Sequence, residues 1–528
     1  MRTSFSITVV ALLAATALTA AGAHHVGAET PLSFSSVQDL GGPGGEPSIQ
    51  DDGNGNVYIT SPVGGPAGVN RQVGVQFWHS SNGGASFGPS KNIGFQLGGF
   101  DSDVTTDNTG FLYVADLEAA ATYITTSGDH GANFTSPVKS TQAGPEDDRE
   151  WLTTVGSNTV YLTYHDLAAG VPLIFKSTDR GKTFTRAGNI FGTNSAFIAD
   201  AAANTLLSKP VVDAAGNIFI LTNTSTAAQN LNNNGTGPFD RLYLSESTDG
   251  GMTFTATLIS DTSNGSTTNA KSGTYAKVFN QLAIDAGGNL YIAAAGTLMT
   301  PAAGAPNSNM FLIRGIKQGD GTYQWKNPVQ LTSDHAQVFP AIAVGQAGQV
   351  AVGYYGTTTV AGCAASCYND YRNDSNKFQY YVTETLNALD PNPTFSAPTQ
   401  VTTTPPHPGG ICTDGVFCGT PLSSGGNRNL ADFESMTVDP AGNIELVIPA
   451  DQDGTNTHNL FYKQATGPQL VPGATNGNGT GNRTYVNNTG GQVPEAPWAS
   501  ALLLVGAAGA AAVMVRGRRR EDSPGTAR

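Results

Sequence analysis

The sequence predicts an all-β protein, a seven-bladed β-propeller of four-stranded antiparallel blades closed into a ring by an N-terminal strand. Two recurring motifs and a turn-rich composition predict it. The first motif is Ser-x-Asp-x-Gly-x-Thr-Phe. It reads Ser127, Asp129, Gly131, Asn133, Phe134; then Ser177, Asp179, Gly181, Thr183, Phe184; then Ser247, Asp249, Gly251, Thr253, Phe254. An earlier copy, Ser80 to Phe87, carries Asn82 in the Asp place. The second motif, Asp-x-x-Gly-Asn-hydrophobic-Tyr, begins at Asp52, Asp107, Asp213, Asp285 and Asp439, with degenerate copies over 155–161 and 345–351. Self-similarity at this period is the mark of a repeat architecture.

Each unit can be justified in order. The second motif is an alternating strand, a tight turn and another strand: Gly supplies the positive φ of the hairpin, and Asp or Asn bonds back to turn amides. A third strand runs into the Ser-x-Asp turn, and a fourth strand follows, as at 137–140, 255–259 and 328–331. Four antiparallel strands per repeat of roughly 45–60 residues describe a propeller blade. Units five and six keep remnants of the first motif, around Asp320-Gly321 and over 390–395. Unit seven lacks a fourth strand of its own, and residues 32–40 precede unit one without another partner, so they are expected to close the ring. Six blades with one unit outside the ring is the alternative.

The ends of the chain read differently. Residues 1–23 have the form of a secretory signal: Arg2, an apolar run, then Ala21-Gly22-Ala23. The propeller is assigned to 30–466. Residues 467–495 are rich in Gly, Asn and Thr and read as a flexible linker. Residues 496–516 read as a transmembrane helix, since the apolar stretch beginning at Trp498 would span roughly 27 Å at a helical rise. The basic tail 517–528 places the propeller outside the cell by the positive-inside rule. The segment resembles bacterial C-terminal sorting signals of the Pro-Glu-Pro type, here written Pro494-Glu-Ala-Pro497, so a released form is also conceivable.

Net charge is −14, which opposes nucleic-acid binding. The four cysteines, Cys363, Cys367, Cys412 and Cys418, suit disulfides in an exported protein. Their spacing matches no recognised zinc finger or ribbon. Local pairing would shape two loops and crossed pairing would staple them together; the sequence leaves both open.

The Ser-x-Asp-x-Gly copies resemble the Asp-boxes of the sialidase, or bacterial neuraminidase repeat, superfamily. The resemblance implies a propeller in which Asn82, Asp129, Asp179 and Asp249 sit at the turn between strands three and four, as structural rather than catalytic groups. Residues 409–433 further resemble segments of secreted actinobacterial propeller proteins of unassigned activity. In a four-stranded blade, both motif turns share one face. The opposite face carries the long insertions 222–240, 296–309, 356–377 and 405–429, and variable loops on a rigid scaffold are where function concentrates.

Alignment of the units places Glu46, Asp101, Arg149, Glu150, Lys209, Asp432 and Glu434 at the channel mouth on that loop-rich face. Asp116, Glu118, His165, Asp166, Arg372 and Arg428 lie in neighbouring loops. Mixed charge converging there is a candidate polar ligand site; the competing reading is that these groups pair with one another. A sialidase grips its substrate carboxylate with three arginines, because only the guanidinium fork binds it bidentately. The family's Arg-Ile-Pro motif is missing, and Gly45-Glu46-Pro47 stands in its place. The expected function is therefore a surface-anchored binder of a glycan or wall polymer. The alternatives are a sialidase-like exo-glycosidase and a protein-interaction scaffold. A monomer is expected with no cofactor, structural calcium being the cation that the loop Asp and Asn residues would suit.

Overall fold

The computed structural model describes residues 30–470 apart from 64–73, 96–98, 119–120, 141–146, 167–170, 204, 226–238, 263–273, 276–278, 298–305, 416–417, 422, 424 and 455. The predicted signal segment, most of the linker, the apolar segment 496–516 and the basic tail lie outside the described residues. Among the described residues no helix is long and apolar enough to cross a membrane.

Seven antiparallel sheets follow one another along the chain. Blade 1 comprises Ser48–Asp51, Val57–Pro62, Val75–Ser80 and Lys91–Ile93; blade 2 comprises Ser102–Thr106, Leu112–Glu118, Ala121–Ser127 and Val138–Lys139. Blade 3 runs from Asp147–Val155 through Thr159–Asp166 and Val171–Ser177 to Thr185–Arg186. In blades 4 and 5 the first strand is split, into Thr205–Leu207 with Val211–Val212 and into Thr274–Tyr275 with Gln281–Ile284. Blade 6 begins at Gln337–Val344, and blade 7 supplies Ser435–Val438, Ile444–Ala450 and His458–Thr466. The fourth strand of blade 7 comes from the N-terminus: Ser33 pairs with Thr466, and Gln38 and Asp39 pair with Phe461 and Leu460. Seven blades with N-terminal closure is the expected architecture, and the six-bladed alternative falls.

Second strands read as near-continuous buried runs, with every residue of Val57–Pro62 and Leu112–Glu118 buried. The reason is that each sheet is covered on both faces by neighbouring blades, so the polar-out alternation of a one-sided sheet disappears. Apolar side chains fill the gaps between blades, as where Ile49, Ile59 and Trp78 of blade 1 meet Val447 and Phe461 of blade 7.

The repeated turns hold the register and the blade-to-blade contacts. In blade 3, Ser177 Oγ donates to Asp179 Oδ1 at 2.7 Å and accepts from Gly181 N, while Asp179 accepts from Thr183 N at 2.9 Å and Thr183 Oγ1 at 2.6 Å. In blade 2 the Asn133 backbone and side-chain amides, with the Ser127 hydroxyl, hold the Asp129 carboxyl down to about 2. The residue after the Asp then reaches the preceding blade. His130 Nδ1 lies 2.8 Å from the Tyr58 hydroxyl, and the Arg180 guanidinium stacks 4.7 Å over Phe111. Both residues take left-handed backbone (φ 58° and 62°), which turns their side chains across the gap. In blade 6 the same turn is built by Thr385 and Asn387, whose Oδ1 accepts from Thr394 N at 3.0 Å. The sequence reading had located only the 390–395 remnant.

Three features were not anticipated. A helix, Ser195–Ala203, links blades 3 and 4, capped by Asn194, whose Oδ1 accepts from Phe197 N at 3.0 Å. Its Phe197 stacks on Tyr243 at 4.3 Å. Past the predicted linker boundary the chain also stays attached, since Leu470 is fully buried and its carbonyl accepts from Gln346 N at 2.8 Å. Finally, the two cysteine loops dock by backbone contact, Ile411 N donating to Tyr371 O at 2.9 Å and Gly409 N to Asn376 O at 2.8 Å. The disulfides are local, Cys363–Cys367 and Cys412–Cys418.

Candidate functional site

The charged residues aligned at the channel mouth do converge, and they converge on one another. Arg149 lies in the first strand of blade 3, where the register breaks between Asp148 and Trp151. A bulge of this kind re-aims a side chain, and Arg149 takes left-handed backbone there (φ 59°). Glu46 (φ 44°) and Ala431 (φ 62°) share that conformation at the entries to blades 1 and 7. Non-glycine residues are held so only when the surroundings over-determine them.

The surroundings here are a buried ionic hub. Arg149 Nη1 donates to Glu46 Oε2 at 2.6 Å and to Asp101 Oδ1 at 3.1 Å. Its Nη2 donates to Glu46 Oε1 at 2.9 Å and to Asp432. Arg428 grips the same Asp432 from Nε at 3.2 Å and Nη2 at 2.5 Å. Blades 1, 2, 3 and 7 are thereby tied together at the axis. The Arg149 side chain is 5% exposed, and its guanidinium lies 4.6 Å from the ring centroid of Phe279 and 5.5 Å from that of Phe433. Burial pushes the Glu46 carboxyl well above its usual range against the pull of Arg149. Asp432 behaves oppositely: burial raises it, but Arg428 and Arg149 prevail and hold it below the usual range.

Trp151, Phe279 and Phe433 form a triangle of edge and tilted contacts with centroids 5.1–5.9 Å apart. These rings wall an axial cavity of about 40 Å³ together with Ser48, Lys209 and Glu434, room for very few water molecules. Lys209 crosses from blade 4 to Asp103 of blade 2 at 2.7 Å. Asp103 also accepts from Ser48 Oγ of blade 1 at 2.6 Å and from Leu152 N of blade 3 at 2.7 Å. Asp103 was missed in the sequence, where it reads as a routine strand position. Its signal was a carboxylate in a first strand that faces the axis.

Two predicted acids are sequestered. Glu150 is 2% exposed and Glu434 fully buried. Neither carboxylate has a well-directed hydrogen bond among the described residues. Burial pushes both well above the usual carboxylate range; for Glu150 the Asp101 charge adds to this, and for Glu434 the Tyr380 hydroxyl opposes it. Asp116 accepts from Phe95 N at 2.8 Å, and burial, then the neighbouring Glu118, raise its pKa well above the usual range. His165 and Asp166 sit at the end of the second strand of blade 3, opposite Asp148 and Asp147. Arg372 stays in the blade 6 loop, donating from Nε to Asp370 at 2.9 Å and lying 5.5 Å from the ring centroid of its neighbour Tyr371. The structure thus gathers Glu46, Asp101, Arg149, Arg428 and Asp432 into one cluster, places Lys209 and Glu434 at the cavity below it, and leaves Arg372 outside. Among the described residues no group of three or more His, Cys, Asp or Glu side chains is arranged to hold a metal ion.

No protein-family model matches the chain, and no curated protein does. Solved structures similar to it include a polysaccharide lyase of family PL25, an ulvan lyase bound to -[GlcA(1-4)Rha3S]-, at 10% identity and a TM-score of 0.44 over 83% of this chain and 95% of that one. The intramolecular trans-sialidase from Ruminococcus gnavus is 12% identical with a TM-score of 0.39, over 82% and 96%. A protein of unknown function from Dyadobacter fermentans DSM 18053 is 13% identical with a TM-score of 0.41, over 62% and 94%. These likenesses are distant, and the reading of function rests on this chain's own residues.

Proposed function

We propose that this protein is an exported, surface-anchored propeller that binds a glycan or wall polymer through its loop-rich face, with residues 496–516 as the anchor. The observation that supports binding over sialidase-type hydrolysis is the fate of the arginines. Arg149, Arg372 and Arg428 would have to form the grip on a substrate carboxylate, and each is already paired with a carboxylate of the chain itself. The buried guanidinium groups of Arg149 and Arg428 would have to give up their internal partners before holding another anion, at a cost of several kcal/mol. For Arg149 and Arg428 the bidentate recognition that the chemistry requires is spent on closing the ring. Glycan as the ligand class rests on the resemblance of the repeated turns and on the mixed polar loops around the face.

The test is to offer the full-length chain, solubilised in mild detergent, a fluorogenic sialoside and a glycan array. Retention of glycans without turnover supports the binding reading. Turnover that disappears in Arg428→Gln would replace it with the exo-glycosidase, and neither retention nor turnover would remove both.

A further inference from the structure

A second concavity lies away from the axis, at the seam where the two ends of the chain meet. Its volume is about 420 Å³, within the range of small-molecule sites and ten times that of the axial cavity. The N-terminal segment forms one wall. It continues the closing strand past Asp39, with Leu40 N donating to Asn459 O at 2.9 Å and Gly44 N to Thr457 O at 3.0 Å. The other wall is the blade 7 loop that begins at Gln452 and leads into the third strand. Ring closure therefore makes this pocket: neither end of the chain contains it alone.

The lining chemistry is specific. Pro43 contributes an apolar ring face, and Gln452, Asp453, Asn456 and His458 contribute amide, carboxylate and imidazole groups. Neither lysine nor arginine lines it, so an anionic ligand would meet no fixed cation and would face the Asp453 carboxylate. Large apolar and aromatic side chains are missing from the lining too, which disfavours a hydrophobic ligand. The polar groups are also pre-set. Asp453 accepts from Asn456 N and Nδ2, each at 2.9 Å, fixing the amide plane. Asp39 Oδ1 lies 2.9 Å from His458 Nδ1 and accepts from Gly41 N at 2.8 Å. An imidazole whose Nδ1 is held by a carboxylate has its ring plane fixed and its Nε2 left to meet an outside hydrogen-bonding group. His458 Nε2 is then an oriented polar atom, and the Gln452 amide, which makes no hydrogen bond among the described residues, offers both donor and acceptor.

Oriented acceptors, an amide and an apolar ring face are what a ring of hydroxyl groups on a puckered carbon frame requires. We infer that the ring-seam pocket is a saccharide subsite taking a neutral pyranose unit. Asp453 accepts a hydroxyl proton, His458 Nε2 and Gln452 hydrogen-bond further hydroxyls, and Pro43 packs against the sugar face. The inference rests on the reading that this propeller binds glycans, and it moves the contact from the charged axis to the seam. Asp39 acts as a positioning residue through His458.

Calorimetric titration of the full-length chain with maltohexaose, mannohexaose and chitohexaose as neutral probes, and sialyllactose as the acidic one, tests it. The expected result is binding of at least one neutral probe, weakened tenfold or more by Gln452→Ala and by His458→Gln, with melting temperatures unchanged. Gln452 is exposed and makes no hydrogen bond among the described residues, so its variant remains informative if loss of the Asp39 pair unsettles His458→Gln. Neutral-probe binding that survives both substitutions would overturn the subsite and leave the glycan reading standing. Binding of sialyllactose alone would overturn the neutral-sugar assignment. Silence from every probe, together with an empty array, would overturn both.

Discussion

Replacing Arg149 with methionine tests whether the axial hub closes the ring or is incidental. The substitution keeps the length and the contact with Phe279 and Phe433 while deleting four charge-assisted hydrogen bonds to Glu46, Asp101 and Asp432. Those three carboxyls are 2%, 7% and 6% exposed, so water cannot replace the lost cation. Arg428 still serves Asp432, and Glu46, already raised by burial, can retreat to its neutral form. Among the described residues Asp101 keeps only the Arg149 backbone amide, at 3.4 Å. Breaking a buried ion pair from one side costs about 3–5 kcal/mol, and the lost cation–π contact adds about 1 kcal/mol. A net loss of about 4 kcal/mol at pH 7 would lower the folding equilibrium roughly a thousandfold. The pH dependence has a definite sign. In the variant the Glu46 carboxyl, already raised by burial, loses the opposing pull of Arg149 and moves further upward. A carboxyl raised in the folded state contributes fully below its unfolded value near pH 4.5 and loses that contribution as pH rises through the folded value. The deficit should therefore shrink toward pH 4.5 and grow toward pH 8. Guanidinium unfolding followed by tryptophan fluorescence at both pH values measures it, and adding Glu46→Gln should recover part of the loss. A deficit under about 1 kcal/mol, or one independent of pH, would refute the hub as a ring lock.

Glu434→Gln isolates the buried acid beside the axial cavity. Burial raises the wild-type group well above the usual range, so its contribution to stability worsens as pH climbs from about 4.5 through its folded pKa. The variant's stability relative to wild type should rise over the same interval; a flat difference curve from denaturant titrations would count against a neutral, sequestered acid. Removing residues 30–40 strips the closing strand from His458–Thr466 and leaves an open edge, which templates pairing with other chains. Size-exclusion chromatography should show oligomers or aggregate, and an unchanged monomer with unchanged melting would sink N-terminal closure.

Much of the ring could be read from sequence because its turns are local chemistry. A glycine taking positive φ and a carboxylate bonding amides two to four residues on repeat at a fixed spacing whatever surrounds them. Thr385 and Asn387 show where that failed: in blade 6 the turn's third residue is Asn387 and its partner Thr394 lies seven positions on, so the spacing no longer matched. The helix Ser195–Ala203 carries a local signal, an alanine-rich run behind an Asn cap, but it interrupts a repeat of strands and fits none of the repeat's spacings. The local disulfides were one of two open pairings, because bridge choice depends on where loops lie in space.

The site divides the same way. Sequence alone aligned Glu46, Asp101, Arg149 and Lys209 at equivalent entries to their blades, since the blade register assigns every first strand the same end, and passed over Asp103. Whether Arg149 faces solvent or Glu46 was decided by the closed ring, which brings residues 46, 101, 149 and 432 within hydrogen-bond reach across hundreds of positions of chain. Burial then turns that proximity into pairing, because charges withdrawn from water must find one another. The seam pocket is a tertiary product altogether: Gly42 and Pro43 line one concavity with Gln452, Asp453, Asn456, Thr457 and His458 only because the strand Ser33–Phe34 and its continuation complete blade 7.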